Sequence, residues 1–486
     1  MVKTIGNVQK DAQVRAVASG ALSNGDTVIV NSDGTVSAVA EVGETESIGS
    51  TTVFEAASAK APYAVYDANA QKVVVVYRDD GNTQRGTAVV GTVSGTSISF
   101  GTPVLFDTDN YILDRHLVVY DANAQKVVVI YADDNQYGSA IVGTVSGTSI
   151  SFGTKAIFNS ATSGYIAATY DSTLNKVVIV YSDGGNSDYG TAIVATVSGT
   201  SISFGSEAVF NSAQVRNTGI AYDANAEKVL ISYEDVGNSN YGTAIVGTVS
   251  GTSITFGTEA VFSSAYTRET HCVYDANAQK IVVVYGPSTS FLAVPATISG
   301  TSVSFGTAAT IFTTPAITDV MDRPPVYHST AQKIVATYRG GLYVTNYLTY
   351  VVLTVSGDTV EATSPSTLDA TYSVVASPVY NPDADNIVVA WQDVGNSYYG
   401  SALVFEPGYS STNLTAENFI GFADSGYADT QSAVINTTCS VDDNQTGLTA
   451  GQKYYVQSDG TLSTTAGSPT VEAGTAISPT KILVKG

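Results

Sequence analysis

Short apolar runs alternate with polar turn segments along most of the chain, and one such pattern recurs seven times. It reads YDANAQKVVVVY at residues 66–77 and returns in altered form at residues 120–131, 170–181, 222–233, 274–285, 327–338 and 380–391. Polar letters such as DANAQK separate a strand that ends in Tyr-Asp from a strand of the type KVVVVY. Apolar runs of this length between turn signals predict β-strands, and a fixed period predicts one repeated supersecondary unit.

Each repeat predicts four strands. The second strand, KVVVVY, is apolar on both faces, as expected for a strand that is covered on both sides. A loop such as EDVGNSNYG leads to a third strand, GTAIVGTVS, and an SGTS turn leads to a fourth, SITFGTEAVF. Repeats of four strands and about 50 residues fit the blades of a β-propeller. The sequence therefore predicts an all-β protein built on a seven-bladed β-propeller.

The two ends of the repeat array predict how it closes. The last repeat stops after three strands, and a spare fourth strand, SIGSTTVFEA, precedes the first repeat at residues 47–56. We expect this N-terminal strand to complete the last blade and leave no open edge; the competing arrangement is an open solenoid, which would need capping repeats. The two flanks contain similar segments, GALSNGDTVIVNSDGTVS at residues 20–37 and GLTAGQKYYVQSDGTLS at residues 447–463. We therefore expect small β modules at residues 1–46 and 411–486 around a propeller at residues 47–410.

The segments that differ between repeats are the expected location of binding residues, because variable loops on a rigid scaffold commonly carry them. The loops between blades hardly repeat, and most of the arginines lie in or beside them or the loops after the second strands. The candidate ligand-binding residues are Arg115, His116, Arg216, Arg268, His271, Arg323, Tyr111, Tyr165 and Tyr266. Guanidinium groups match carboxylate, sulfate or phosphate, and exposed tyrosine suits sugar rings. An alternative stays open, in which Asp114, Glu269 and Asp322 neutralise the neighbouring arginines.

Charge and motif content exclude several classes of function. A net charge of −22 opposes binding to nucleic acid, and no run of 18 apolar residues predicts a membrane span. The start lacks an apolar leader, so no secretory signal is expected, and Cys272 and Cys439 provide no disulfide framework. The chain lacks the common catalytic, phosphate-binding and calcium-binding motifs, so we expect no catalytic residue, metal or cofactor. A glycosidase-like carboxylate pair among Asp109, Asp114, Glu269 and Asp322 is the less favoured alternative.

The repeat unit YDANAQKVVVVY…GNSNYGTAIVGTVSGTSITFGT resembles propeller repeats of structural and fibre proteins of tailed, marine bacteriophages. The C-terminal GLTAGQKYYVQSDGTLSTTAGSPTVEAGTAISPTKILVKG also resembles small terminal modules of phage fibre proteins. The resemblance implies a virion surface protein, a fibre, spike or capsid decoration, assembled in the host cytoplasm. Its implied partners are other virion proteins and host surface polysaccharide, and homo-oligomerisation stays open. A purely structural virion protein without a ligand is the alternative.

Overall fold

The computed structural model describes residues 12–107, 111–113, 115–286, 290–313, 323–340, 347–467 and 469–485. The described chain is all-β, with four single-turn 3₁₀ helices and no α-helix. None of its helices is long and apolar enough to cross a membrane. The chain divides into two compact units, one of residues 46–407 and one of residues 1–45 with 408–486.

The larger unit contains the seven sequence repeats. Its strands are Ser47–Ile48, Thr52–Asp67, Lys72–Asp79, Arg85–Ser94, Ser97–Phe100, Val104–Leu105, His116–Asp121, Lys126–Ala132, Tyr137–Ser146, Ser149–Phe152, Ala156–Asp171, Lys176–Asp183, Tyr189–Ser198, Ser201–Phe204, Ala208–Asp223, Lys228–Asp235, Tyr241–Ser250, Ser253–Phe256, Ala260–Tyr266, Arg268–Asp275, Lys280–Gly286, Ser290–Ser299, Ser302–Phe305, Ala309–Thr313, Val326–His328, Lys333–Gly340, Tyr347–Ser356, Thr359–Ala362, Ser366–Asn381, Asn386–Asp393 and Tyr399–Glu406. The 3₁₀ helices are Asp80–Asn82, Gly184–Asn186, Val236–Asn238 and Val394–Asn396.

The third repeat shows how one unit folds. The second half of Ala156–Asp171 is its inner strand and pairs antiparallel with Lys176–Asp183, which pairs with Tyr189–Ser198. Two short segments pair along the outer side of this third strand, Ser201–Phe204 and the start of Ala208–Asp223. The apolar side chains of the second strand are completely buried on both faces, because neighbouring repeats cover them. The predicted four-stranded unit is present.

Long strands connect one repeat to the next and close the array. In Ala156–Asp171 the first half is the outer strand of the second repeat, and the second half is the inner strand of the third. At the beginning of the repeat array, Ser47–Ile48 and the first half of Thr52–Asp67 pair with Tyr399–Glu406, the third strand of the last repeat. The inner strands of the repeats contact one another in cyclic order, first to second and so on to last and first. The spare N-terminal strand therefore pairs where the sequence predicts.

Aromatic contacts join successive repeats. Phe158, on the outer strand of the second repeat, lies with its ring 5.2 Å from Tyr181 and 5.7 Å from Phe204 in the third repeat. Equivalent contacts involve Phe54, Phe106, Phe210 and Phe262. A Cβ at Gly138 would lie 2.3 Å from the Phe158 ring. A glycine at the second position of the third strand is therefore needed, because a larger residue there would displace the aromatic ring.

The recurring Tyr-Asp pair has two separate structural roles. Asp171 holds its own turn, because its Oδ1 accepts hydrogen bonds from the Thr173 and Leu174 N–H groups at 3.0 and 2.9 Å. This is the turn role that the sequence predicts for the Asp. Tyr170 reaches the preceding repeat, where its hydroxyl accepts a hydrogen bond from the Asn123 N–H at 3.1 Å. The motif therefore fastens each hairpin and also links neighbouring repeats.

Tyr170→Phe is expected to lower the free energy of unfolding by about 1 kcal/mol, the usual net contribution of a neutral hydrogen bond. The variant removes the bond from Asn123 and a second bond that the hydroxyl donates to Asn175 Oδ1 at 2.9 Å. Urea unfolding followed by fluorescence measures the change. Tyr398→Phe is the control, because that ring is 50% exposed and its variant should unfold like the original chain. Equal stability of the two variants would contradict the linking role of Tyr170.

The smaller unit is built from both flanks of the chain. Its strands are Gln13–Val17, Thr27–Val30, Val36–Ala38, Glu41–Glu44, Tyr409–Thr412, Phe419–Ala423, Ser432–Asn436, Val441–Asp442, Lys453–Val456, Leu462–Ser463, Val471–Ser478 and Lys481–Val484. They form two five-stranded sheets and one strand pair. One five-stranded sheet combines N-terminal and C-terminal strands, since Gln13–Val17 pairs with Ser432–Asn436 and Thr27–Val30 pairs with Phe419–Ala423.

The two five-stranded sheets are copies of one another. Each has a hairpin at one edge, Thr27–Val30 with Val36–Ala38 in one copy and Lys453–Val456 with Leu462–Ser463 in the other. Beside that hairpin, Gly421 and Gly474 occupy the same place with φ of 147° and 150°. At each, a Cβ would lie 2.0 Å or less from a backbone oxygen of the next strand. The related flank sequences thus mark a duplicated module, and residues 46–407 are inserted between the strands of its first copy.

This pairing differs from the predicted division into separate modules at residues 1–46 and 411–486. The flanks share one unit because the first copy needs strands from both sides of the insertion to complete its sheet. The unit boundaries fall after Thr45 and Pro407, within a few residues of those expected. Sequence similarity between the flanks indicated the duplication, whereas the hydrogen bonds between them depend on pairing over more than 400 residues.

Candidate functional site

Five of the inner strands show the same irregularity near their beginning in the described pairings. The register shifts between Lys60 and Tyr63 in the first repeat and between Gly164 and Ala167 in the third. A non-glycine residue at each shift has positive φ, at Ala61 (52°), Tyr165 (47°), Asn217 (49°), Glu269 (43°) and Val375 (51°). Such backbone is uncommon for non-glycine residues, and bulges of this kind redirect side chains, often beside functional sites. We call these five positions, with the residues up to two places on either side and the described equivalent residues of the second and sixth repeats, the bulge ring.

Seven of the nine candidate residues belong to the bulge ring. The bulge position lies five residues before the tyrosine of the Tyr-Asp pair, and Arg115 and Tyr165 occupy it in their repeats. Arg216 and Arg268 directly precede this position. The residues that follow it within two places are His116, Arg323 and His271. Because the inner strands contact in cyclic order, these residues lie on adjoining strands. The remaining two, Tyr111 and Tyr266, are 44% and 41% exposed.

Arg323 and His116 are engaged within the ring. The Arg323 guanidinium donates from Nη2 to the Ala61 carbonyl at 2.8 Å and from Nε to the Pro62 carbonyl at 3.2 Å. It also lies 4.9 Å above the Tyr63 ring centroid. Its hydrogen bonds therefore reach from the sixth repeat to the first, and we remove Arg323 from the ligand-binding set.

His116 is buried next to this contact. Its Nδ1 lies 3.3 Å from the Leu113 carbonyl oxygen. Burial, followed by the positive charge of Arg323, lowers the pKa of His116 to about 3. The imidazole is therefore neutral near pH 7 and cannot supply a positive charge to an anionic ligand. His271 is half-buried and makes contacts of its own, which leaves the arginines as the cationic candidates.

Three arginines remain available. Among the residues that the structure describes, Arg115, Arg216 and Arg268 make no ion pair within 4.0 Å. Arg268 lies 5.3 Å above the ring centroid of Tyr266, a cation–π arrangement that fixes the guanidinium beside an exposed aromatic face. The alternative in which Glu269 neutralises Arg268 is therefore not supported. Asp109, Asp114 and Asp322 lie outside the described residues.

A buried carboxylate lies beside Arg216 and Arg268. Glu234 is directly opposite Arg216 across the paired strands, and its Oε2 accepts a hydrogen bond from Asn217 Nδ2 at 2.8 Å. Burial raises the pKa of Glu234, while Asn217 and the two arginines lower it, with a net upward shift. Within the described chain, its Oε1 has no hydrogen-bond partner. Arg216 and Arg268 therefore lie beside one buried carboxyl group, Glu234, whose negative charge they and Asn217 stabilise only in part.

Sequence reasoning missed Glu234, although a signal for it exists. The residue after the last aromatic of the second strand varies, with six residue types in the seven repeats. The seven residues at this position are Arg78, Ala132, Ser182, Glu234, Gly286, Arg339 and Gln392. In the described pairings this residue is opposite the one before the bulge, as in Lys60 with Arg78 and Arg216 with Glu234. A register argument would therefore have placed this second variable position beside the first.

Glu234→Gln is expected to become more stable relative to the original chain as pH rises from about 4.5 towards neutrality. A carboxyl group whose folded-state pKa is raised binds more protons folded than unfolded, so its presence lowers stability as pH increases. Glutamine keeps an oxygen that accepts from Asn217. Unfolding free energies of both proteins at pH 4 and pH 7 measure the effect. A difference that stays constant with pH would show that Glu234 ionises normally.

The tyrosines divide into two groups. Tyr165 is 43% exposed, and with Tyr111 and Tyr266 it offers ring surface to solvent. The recurring Tyr137, Tyr189 and Tyr241 are half-buried at the start of the third strands, where they pair with the outer strand. Exposed aromatic rings beside charged donors suit polyhydroxylated ligands, because the ring covers C–H groups while the donors bind oxygen atoms.

Metal and thiol chemistry find little support in the described parts of the chain. No group of three or more His, Cys, Asp or Glu side chains there is arranged to hold a metal ion. Cys272 is buried, and burial raises the pKa of its thiol to about 12, so the reactive thiolate is scarce at neutral pH. The arrangement is therefore one of hydrogen-bond donors and aromatic faces.

No protein family model matches the sequence, and no curated protein does. Among solved structures, the chain is similar to Aleuria aurantia lectin in complex with Fucα1-6GlcNAc, at 14% identity and TM-score 0.41 over 64% of this chain and 96% of that chain. It is also similar to AofleA from Arthrobotrys oligospora, at 10% identity and TM-score 0.42 over 72% and 95%. NanB sialidase from Streptococcus pneumoniae matches at 11% identity and TM-score 0.43 over 73% and 68%. No residue role is taken from these proteins.

Proposed function

We propose that the protein binds acidic glycan through the bulge ring and the neighbouring Tyr266. Arg115, Arg216 and Arg268 donate hydrogen bonds to the anionic groups of the glycan. The rings of Tyr165 and Tyr266 stack against its sugars. The observation that supports this most directly is that these three guanidinium groups lack an ion pair within the described chain. Carboxylates are abundant in a protein of net charge −22, so arginines that make no ion pair with them are available to an external anion. We propose binding without catalysis.

The proposed chemistry follows from the geometry around Glu234. The charges of Arg216 and Arg268 both lower the pKa of that carboxyl, so each guanidinium group lies within electrostatic range of Glu234. Two adjacent guanidinium forks can bind the carboxylate of an acidic sugar or a sulfate ester through paired N–H donors. Tyr266, beneath Arg268, would then contact the apolar face of the same or the next sugar.

We also propose that the larger unit is a seven-bladed β-propeller, which would hold the bulge ring on a rigid scaffold. The cyclic contacts of the inner strands and the pairing of residues 47–58 with the last repeat support this blade count. A closed array removes exposed strand edges. It also holds the seven variable segments in fixed order, so that arginines from separate repeats can act on one ligand.

We place the protein on a phage particle, where the acidic glycan would be a host surface polysaccharide. The phage-like repeat and terminal sequences support this assignment. The duplicated smaller unit would attach the propeller to other virion proteins. In the alternative structural role, a neighbouring subunit would cover the same arginines, and the purified chain would bind no glycan.

A glycan array tests the proposal. The purified full chain is applied to uronic acid-containing, sulfated and neutral bacterial polysaccharides at low and high salt. We expect retention on acidic glycans that weakens with salt, since exposed charges are screened. Retention confined to neutral glycans, or none at all from a folded sample, would reject the acidic-glycan assignment.

A further inference from the structure

A separate pocket lies at the boundary between the first and second repeats. It has a volume of about 300 Å³ and is lined by Phe106, Tyr131, Phe152, Asp107 and Lys155 together with aliphatic side chains. The Phe106 ring lies 5.2 Å from Tyr131 and 6.0 Å from Phe152. The pocket therefore opens over the aromatic contact that joins these repeats, and its wall combines apolar faces with two charged side chains.

Lys155 determines the charge of this pocket. Its Nζ lies 3.7 Å from Asp107 Oδ2 and 3.7 Å from Asp133 Oδ2, and both aspartates are almost fully buried. The ammonium group therefore lies beside at least two carboxylates, and Lys155 and Asp107 make further interactions as well. An anionic ligand would meet two buried carboxylates, whereas an uncharged ligand with hydroxyl groups could donate to Asp107 and accept from Lys155.

The next two repeat boundaries are closed differently. Glu207 and Glu259 occupy the position of Lys155 in the following repeats. Glu207 Oε1 accepts a hydrogen bond from the Tyr181 hydroxyl at 2.7 Å, and Glu259 Oε1 accepts one from Asn211 Nδ2 at 3.0 Å. At those boundaries the acid satisfies groups of the protein. Lysine at the first boundary reverses the charge and cannot accept these hydrogen bonds.

We propose that this pocket binds a single uncharged sugar residue. Its volume is at the lower end for small-molecule sites, so it suits one sugar ring rather than an oligosaccharide. Phe106 and Phe152 cover the C–H face of the sugar, while Asp107 and Lys155 bind its hydroxyl groups. The inference rests on the proposed function in that the protein binds glycan, but the site and the charge of the ligand differ from those of the bulge ring.

Saturation-transfer NMR on the full chain tests the pocket. The probes are the methyl glycosides of glucose, galactose, mannose, fucose and N-acetylglucosamine. We expect the original protein to transfer saturation to at least one of them and Lys155→Glu to lose that transfer. Lys228→Glu is the matched control, because it makes the same charge change at a half-buried lysine outside the pocket, whose Nζ donates to the Glu227 carbonyl. Thermal melts confirm that each variant is folded.

Two further variants separate this proposal from the acidic-glycan site. Lys155→Met keeps the apolar stem and removes the donor, so affinity for the sugar should fall at least tenfold while the fold is retained. Arg216→Ala/Arg268→Ala should bind the methyl glycoside like the original protein. No transfer to any probe at tens of millimolar, or unchanged transfer in both Lys155 variants, overturns the pocket. Transfer lost only in the arginine variant assigns neutral sugar to the bulge ring instead.

Discussion

Arg216→Ala/Arg268→Ala is expected to weaken binding to acidic glycans by about a hundredfold or more and to reduce its salt dependence. Hydrogen bonds to charged groups each contribute about 1.5–3 kcal/mol, and about 1.4 kcal/mol corresponds to tenfold in affinity. The double variant removes both guanidinium groups that act on Glu234, so a bound anion would lose both of these partners. Surface plasmon resonance on the best array ligand, at two salt concentrations, measures the loss.

The matched control is Lys126→Ala/Lys228→Ala, which changes the net charge by the same amount. Both lysines contact only backbone carbonyls in the described contacts and begin second strands, away from the bulge ring. We expect this pair to bind within a factor of about two of the original chain, because screened charges far from a site contribute little. If both double variants lose affinity equally, net charge rather than the bulge ring governs binding, and the proposed site is wrong.

Phe54→Ala is expected to lower the free energy of unfolding by about 3–5 kcal/mol, the range for removing a buried phenylalanine. Phe54 belongs to the strand that pairs with the last repeat, and its ring lies 5.2 Å from Tyr77 and 5.5 Å from Phe100 in the first repeat. A Cβ on Gly400 of the last repeat would lie 2.3 Å from the same ring. One side chain therefore packs against both ends of the repeat array.

Urea unfolding of Phe54→Ala and Val53→Ala separates closure from general loss of apolar surface. Val53 is the preceding residue on the same strand and is 42% exposed, so its variant should change stability by no more than about 0.5 kcal/mol. Phe158→Ala removes the equivalent ring between the second and third repeats and should resemble Phe54→Ala. A loss below 1 kcal/mol for Phe54→Ala alone would mean that the closing strand contributes little in solution.

Local chemistry explains why so much of the fold is predictable. The buried second strands follow from apolar letters on both faces, and the turns follow from aspartates such as Asp171 that bond their own backbone. The spare strand at residues 47–56 was recognisable because it repeats a pattern found elsewhere in the chain. Glycines such as Gly138 were visible as recurring letters, but the aromatic ring that requires each of them was not.

The candidate site was predictable only in part. Comparing repeats located Arg115, Arg216 and Arg268, because variable residues stand out against a recurring scaffold. The same comparison could not tell that Arg323 donates to carbonyls of the first repeat, more than 260 residues away. It also missed Glu234, whose importance comes from the strand register that sets it opposite Arg216.

The sequence by itself therefore determined the all-β class, the repeated unit and the segments in which function was to be sought. These features depend on spacing of apolar residues and on turn residues, which act within about a dozen positions along the chain. Only the tertiary structure decided which arginines are available and which charge surrounds Lys155. Hydrogen bonds and electrostatic interactions act over a few ångströms in space, and the strands that supply the partners are far apart in sequence.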